Sequence, residues 1–210
     1  MYGIQNFELF CLSAIVLSIT PGPDTFYILG RTISQGANSG IASVLGISTG
    51  VLIHTVAAAV GLSTILATSA LLFKIIKLIG AAYLIYLGIV LILASKDAHA
   101  LSKNNLSSIS FWKIYRQGVI TNVLNPKVAL FFLSFLPQFI DPNHGNVTSF
   151  ILLGITYVFT CAVWYLMVAV FSSAIAGTLQ KNTLWIRCIN KISGCIFIWL
   201  GLNLAFSKTD

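Results

Sequence analysis

Long apolar runs broken by short polar segments organise the chain. Residues 9–23, 32–73, 78–95, 142–180 and 192–207 contain no Asp, Glu, Lys or Arg, and 117–140 contains only Lys127. A helix needs about 20 apolar residues to cross a hydrocarbon core of about 30 Å. The runs therefore predict six spans: 7–31, 39–61, 75–94, 117–139, 148–175 and 188–207. Polar stretches at 34–38, 95–116, 141–146 and 177–182 separate them. Residues 64–74 are apolar but close to Lys74 and Lys77, and read either as a lead-in to the third span or as an interfacial segment. The expected fold is an all-α integral membrane protein with six transmembrane helices in a single domain, 1–210.

Composition narrows the class. Hydrophobic residues make up 57% and charged residues 8%, against roughly 25% charged in soluble domains, which is too few to cover a soluble surface. The first basic residue is Arg31, so the run from Phe7 lacks the basic start of a cleaved signal peptide and reads as a retained span. The net charge of +7 is scattered through short loops and is not a nucleic-acid footprint. Arg31, Lys96, Lys103, Lys113, Arg116, Lys181, Arg187 and Lys191 flank the odd-numbered loops, whereas Lys74, Lys77 and Lys208 lie on the other side. Basic residues gather in cytoplasmic loops, so both termini are expected outside. The four cysteines, Cys11, Cys161, Cys188 and Cys195, show no C-x-x-C spacing, and each falls in an apolar stretch. They read as buried thiols, with no metal site and no cofactor expected.

The second half echoes the first. Lys74, Ile76, Ile79, Ile85, Leu87-Gly88 and Leu91 correspond to Arg187, Ile189, Ile192, Ile198, Leu200-Gly201 and Leu204. Leu45-Gly46-Ile47-Ser48 corresponds to Leu153-Gly154-Ile155-Thr156, and Pro21 and Phe26 to Pro126 and Phe131. Repeat one is 1–95, a cytoplasmic linker is 96–116, and repeat two is 117–210. Three spans per repeat is an odd number, so the copies enter the membrane from opposite faces, as in many secondary transporters.

Two prolines flank Gly22 in Thr20-Pro21-Gly22-Pro23-Asp24, near the middle of span 1. They remove two N–H donors and clash with the preceding turn, so the helix is expected to break there. Asn125-Pro126-Lys127, with Asn122 one turn earlier, interrupts span 4 in the same way. Helices 1 and 4 are thus expected to be broken at mid-membrane, at Pro21, Gly22 and Pro23 and at Asn125 and Pro126. The restarted helices present free N–H groups that suit an anion. Asp24 suits an ammonium, and Lys127 suits a carboxylate or Asp24 itself, directly or through water. Intramembrane charges point to function, although a helix cap at Asp24 and a snorkelling chain at Lys127 are the plainer readings. The candidate binding residues are Asp24, Lys127, Gly22, Pro23, Asn125 and Asn122. On span 2, Ala42, Gly46, Gly50, His54 and Ala58 form a stripe of small residues interrupted by His54, which lets helices approach closely. Asp24 and His54 are the candidate coupling groups, and a merely structural, hydrogen-bonded His54 is the alternative.

At these residues the chain resembles the LysE/RhtB superfamily of bacterial amino-acid exporters. The likeness rests on TPGPD at 20–24, Gly36, Gly40, Gly46, Gly50, His54-Thr55 and Gly80-Ala81-Ala82-Tyr83-Leu84. It continues through Leu87-Gly88, Asn125-Pro126-Lys127, Phe131-Phe132 and Leu136-Pro137-Gln138-Phe139, and so covers nearly the whole chain. The resemblance implies a non-enzymatic efflux protein of the bacterial inner membrane. It would export amino acids of the homoserine, threonine, leucine or lysine class by proton antiport. The partners are then the amino acid and the lipid bilayer, with a homo-oligomer left open and no nucleic acid. Pro21, Gly22, Pro23, Asp24, Asn125, Pro126 and Lys127 carry over as the functional core. A heavy-metal exporter would want several thiolate or imidazole ligands at mid-membrane. An intramembrane redox carrier would want paired cysteines at the breaks, and a membrane enzyme a nucleophile constellation. The sequence offers none of these.

Overall fold

The computed structural model describes residues 3–68, 70–93, 109–141, 145–172 and scattered positions between 188 and 205. The described residues are helical apart from short connections and one isolated antiparallel bridge between Ile4 and Ile140. Among the described residues seven α-helices have defined bounds: α1 (Phe7–Ile19), α2 (Pro23–Gln35), α3 (Ala37–Thr68), α4 (Ala70–Leu93), α5 (Phe111–Val123), α6 (Pro126–Leu130) and α7 (Val147–Val170). After α6 the chain passes through a π turn, Phe131–Phe135, and a 3-10 turn, Leu136–Phe139. Most of the expected sixth span and of the linker lies outside the described residues.

Ala37–Ile65 and Val147–Val170 are each long and apolar enough to cross a membrane. Two bent pairs pass the same test when each is taken as one span. These are α1 with α2, bent by 50°, and α5 with Pro126–Phe139, bent by 48°. The outward faces are apolar: Val60 on α3 is 63% exposed and Phe159 on α7 is 71% exposed. In water such exposure would forgo about 25 cal/mol per Å² of burial, a loss that lipid tails remove. The chain is a multi-pass, all-helical membrane protein.

Several boundaries differ from the sequence expectation. Residues 64–68 extend α3, and 70–74 open α4, so the 64–74 segment is helical on either side of residue 69. Phe111–Arg116, expected in the linker, are already in α5. The expected 34–38 loop shrinks to Gly36, whose φ of +84° turns the chain from α2 into α3, a backbone conformation that favours glycine. The cysteines also differ. Cys161 is buried and Cys11 partly so, but Cys188 and Cys195 are exposed, and all four are free. Apolar surroundings along a lipid-facing stripe look the same in sequence as those of a protein core.

Packing fixes the directions of the helices. Along α3, Gly46 lies against the Tyr115 carbonyl and Gly118 of α5, and Gly50 lies against Asn122, so α3 and α5 run parallel. Gly40 meets Ala169 and Thr55 meets Gly154, so α3 and α7 run antiparallel. At the other end of α3 and α5, Phe10, Phe131, Phe135, Phe139 and Tyr157 form one aromatic cluster, with Phe131 and Tyr157 ring centroids 4.7 Å apart. The start of the chain is sewn to the end of span 4. Gln5 N donates to the Phe139 carbonyl (2.8 Å) and Asp141 N to the Gly3 carbonyl (2.8 Å). α4 crosses the last helical segment through glycines. A Cβ on Gly88 would stand 2.5 Å from the Gly194 carbonyl, and one on Gly201 would stand 2.8 Å from the Ala81 carbonyl.

Candidate functional site: two crossed helix breaks

Thr20 and Gly22 are extended rather than helical, with Pro23 opening α2. Asn125 is likewise extended, with Pro126 opening α6. The half-helices α1 and α2 have 13 residues each, or about 20 Å at 1.5 Å per residue. Their junction therefore falls inside a ~30 Å hydrocarbon core.

The two breaks touch, and each supplies what the other lacks. Lys127 sits in the first turn of α6, where a cation opposes the helix dipole. Its long side chain carries the ammonium to the end of α1 instead. There Nζ donates to the carbonyls of Leu17 (2.8 Å) and Thr20 (2.7 Å), groups that a helix C-terminus leaves unpaired. The Lys127 side chain passes over Gly22, where a Cβ would stand 3.7 Å from Nζ, in ordinary contact. Conversely, Asp24 lies in the first turn of α2, the favourable end for an anion. Its Oδ2 accepts from Nδ2 of Asn122 (2.8 Å), in the last turn of α5.

Asp24 and Lys127 do not pair directly, which the sequence had left open. The main-chain carbonyls of α1 hold the ammonium, and no sequence pattern advertises a carbonyl as a partner. Asp24 is only 2% exposed, and its Oδ1 has no hydrogen-bond partner, nor does the buried Thr25 Oγ1 beside it. The two helix starts also differ in their caps. Asn125 Oδ1 accepts from Lys127 N (3.1 Å) and caps α6, whereas Gly22 leaves α2 without a side-chain cap.

His54 adds a third element. Its Nε2 lies 3.2 Å from the Asn122 carbonyl. A carbonyl only accepts, so Nε2 carries the proton in this contact. The imidazole stacks on Phe132, with centroids 5.7 Å apart. One turn earlier, the Asn122 side chain packs on Gly50, where a Cβ would stand 2.6 Å from Oδ1. The small-residue stripe of α3 is thus the seat for Asn122.

Sequence reasoning missed the contribution of α7. Cys161 Sγ lies 3.2 Å from Ser18 Oγ in the last turns of α1. Tyr165, buried, lies beside Asp24 and Thr25. These contacts join residues more than a hundred positions apart. The only local signal was the presence of Thr, Ser and Tyr within otherwise apolar helices. Among the described residues, no group of three or more His, Cys, Asp or Glu comes together as a metal site would require.

Comparison with known proteins gives a consistent result. The family described as "LysE type translocator" matches residues 15–208. The chain is 34% identical to the "Uncharacterized membrane protein YrhP" of Bacillus subtilis, over 92% of this chain and 95% of that one. It is 31% identical to the "Homoserine/homoserine lactone efflux protein" of Salmonella typhimurium, over 95% of each chain. It is 29% identical to the "Leucine efflux protein" of Salmonella choleraesuis, over 97% of this chain and 96% of that one. No solved structure matches the chain.

Proposed function

The chain belongs to the LysE type translocator family, and from that premise we propose that it exports small amino acids across a bacterial inner membrane in exchange for protons. The observation that carries the reading is Asp24, a buried carboxylate with one oxygen unpaired, at an uncapped helix start that touches a second helix break. The substrate ammonium binds Asp24. The substrate carboxylate lies toward the α2 N-terminus and the remaining N–H of Lys127. The named relatives export homoserine, homoserine lactone or leucine, all of which carry an α-amino group, and homoserine and leucine fit this zwitterionic description.

Competition at Asp24 supplies the coupling. A proton and a substrate ammonium cannot both occupy the same carboxylate, so cargo leaves Asp24 when a proton arrives from outside. The proton departs to the cytoplasm before the next cargo binds. This exchange lowers the apparent affinity for substrate as pH falls.

Six spans in two inverted repeats complete the proposal. The matched bends of 50° and 48° support it, as does a reciprocity in the glycine contacts. With Ala81, Ile85 and Gly88 equated to Gly194, Ile198 and Gly201, the Gly88–Gly194 contact is mirrored by Gly201–Ala81. The Gly88–Ile198 contact is likewise mirrored by Gly201–Ile85. A two-fold axis in the membrane plane generates this pairing.

The test uses vesicles loaded with labelled homoserine, threonine, leucine or lysine. Asp24→Asn and Lys127→Met should each abolish proton-driven export while the protein remains inserted, and Lys103→Met in the linker should export normally. Export against a gradient at the normal rate by Asp24→Asn would reduce Asp24 to a helix cap and end the mechanism.

A further inference from the structure

The broken end of α1 holds a cation, and the proline that breaks it accounts for the demand. In an unbroken helix the Leu17 carbonyl would accept from the N–H four residues on. That residue is Pro21, which has no N–H. α1 ends at Ile19, and Thr20 turns extended. The Val16 carbonyl is met locally, by Thr20 N (3.0 Å) and Thr20 Oγ1 (2.7 Å). The Leu17 and Thr20 carbonyls instead accept from one group, Lys127 Nζ, at 2.8 and 2.7 Å.

The second break has the same shortfall and meets it differently. Pro126 stands four residues after Asn122 and deprives its carbonyl in the same way. With Pro21 equated to Pro126, Leu17 is equated to Asn122. The Asn122 carbonyl accepts from Asn125 N (2.9 Å) and His54 Nε2 (3.2 Å). A main-chain N–H and a ring N–H thus serve one carbonyl orphaned by a proline, and neither needs a formal charge. At the end of α1 a full charge is used. It is brought from the first turn of α6, the end of a helix that disfavours cations. A helix C-terminus attracts them, and in secondary transporters half-helix C-terminal ends and unwound carbonyls coordinate small cations.

We infer that the end of α1 is a binding site for a monovalent cation and that Lys127 is its tethered occupant. The ligand class is a small primary ammonium or an alkali ion, held by the Leu17 and Thr20 carbonyls. Lys127→Ala deletes the atoms of an n-propylammonium ion and leaves a gap of that shape beside these carbonyls. This site goes beyond the export reading and is independent of the cargo that Asp24 carries.

Thermal unfolding of the purified full-length protein in detergent tests it, without substrate and at constant ionic strength in choline chloride. In Lys127→Ala, n-propylammonium should raise the midpoint by about 5 °C when present at about a hundred times its dissociation constant. Sodium in its place distinguishes the two members of the class, and stabilisation by either supports the site. The wild type, whose site is filled, should not respond. Nor should Lys127→Met, where an uncharged chain fills the space. No response of Lys127→Ala to either cation overturns the site. So does equal stabilisation by neutral 1-propanol, which fills the gap without a charge, or an equal response of the wild type, which places the ions elsewhere. Should Lys127→Ala yield no folded protein, Pro21→Ala decides the matter, because it returns an N–H to Leu17. Replacing Lys127 by Met should then lower the midpoint less in the Pro21→Ala background than in the wild type. Equal losses in the two backgrounds would overturn the site.

Discussion

At the scale of single residues, the site depends on small groups that hold larger ones in place. Asn122 reaches Asp24 only because Gly50 has no side chain to displace it. Gly50→Ala should therefore weaken substrate binding by about tenfold or more, the loss expected when a charged hydrogen bond of about 1.5–3 kcal/mol is disturbed. Exchange of labelled substrate at varied concentration measures it, and a normal half-saturation concentration would refute the positioning role. His54 was a coupling candidate by residue type alone. Its Nε2–H is committed to a main-chain carbonyl, which favours a pin over a proton carrier. His54→Gln retains a donor for that carbonyl and should keep proton-driven export, whereas His54→Leu should lose it. Loss of coupling in both variants would restore the carrier role. Asp24, Lys127 and His54 were legible because polar groups in apolar runs are rare. The approach of Tyr165 to Asp24 and Thr25 was not, because a contact between α2 and α7 has no sequence signature.

At the scale of elements, proline chemistry made both breaks readable to within a residue or two. Thr20, Gly22 and Asn125 are extended where the prolines interrupt the hydrogen-bond ladder. The sequence did not reveal that the two breaks are unequal. Asn125 caps α6, and Gly22 leaves α2 without a side-chain cap. Asn125→Ala should cost about 1 kcal/mol of stability, the usual worth of a cap, and Asn125→Asp should cost less. Thermal unfolding of the detergent-purified variants compares them. Equal destabilisation by Ala and Asp would mean that the amide nitrogen of Asn125, and not its capping oxygen, matters. The π turn at Phe131–Phe135 was also unreadable. Phe131 and Phe132 there meet Tyr157, and tertiary packing of that kind overrides local preference.

At the scale of the whole molecule, helix directions give an independent check on the topology read from charges. Successive spans must alternate in direction, so spans 2 and 4 run parallel and spans 2 and 5 antiparallel. The glycine contacts of α3 with α5 and α7 have those senses. The bridge between Ile4 and Ile140 brings the start of span 1 and the end of span 4 to the same face, as six alternating spans require. Contacts alone do not say which face is outside; the charges do. Eight basic residues flank the odd-numbered loops and three the opposite side, and cytoplasmic loops attract the excess. Both termini should therefore lie outside the cytoplasm. An enzyme reporter active only after export, fused after Asp210, should be active, and the same reporter inserted at Lys103 should be silent. A reporter after Asp210 that works only in the cytoplasm would reverse the orientation or remove a span. Either outcome matters for the mechanism, because α2 descends from Asp24 toward Arg31 and the first loop. With that loop inside, α2 runs from the ammonium seat toward the cytoplasm, where an exporter collects its cargo. The aromatic cluster of Phe10, Phe131 and Tyr157 then lies on the outer side of the breaks. An inverted orientation would put the cluster between the seat and the cytoplasm, and Asp24 would meet the outside proton supply through α2 instead.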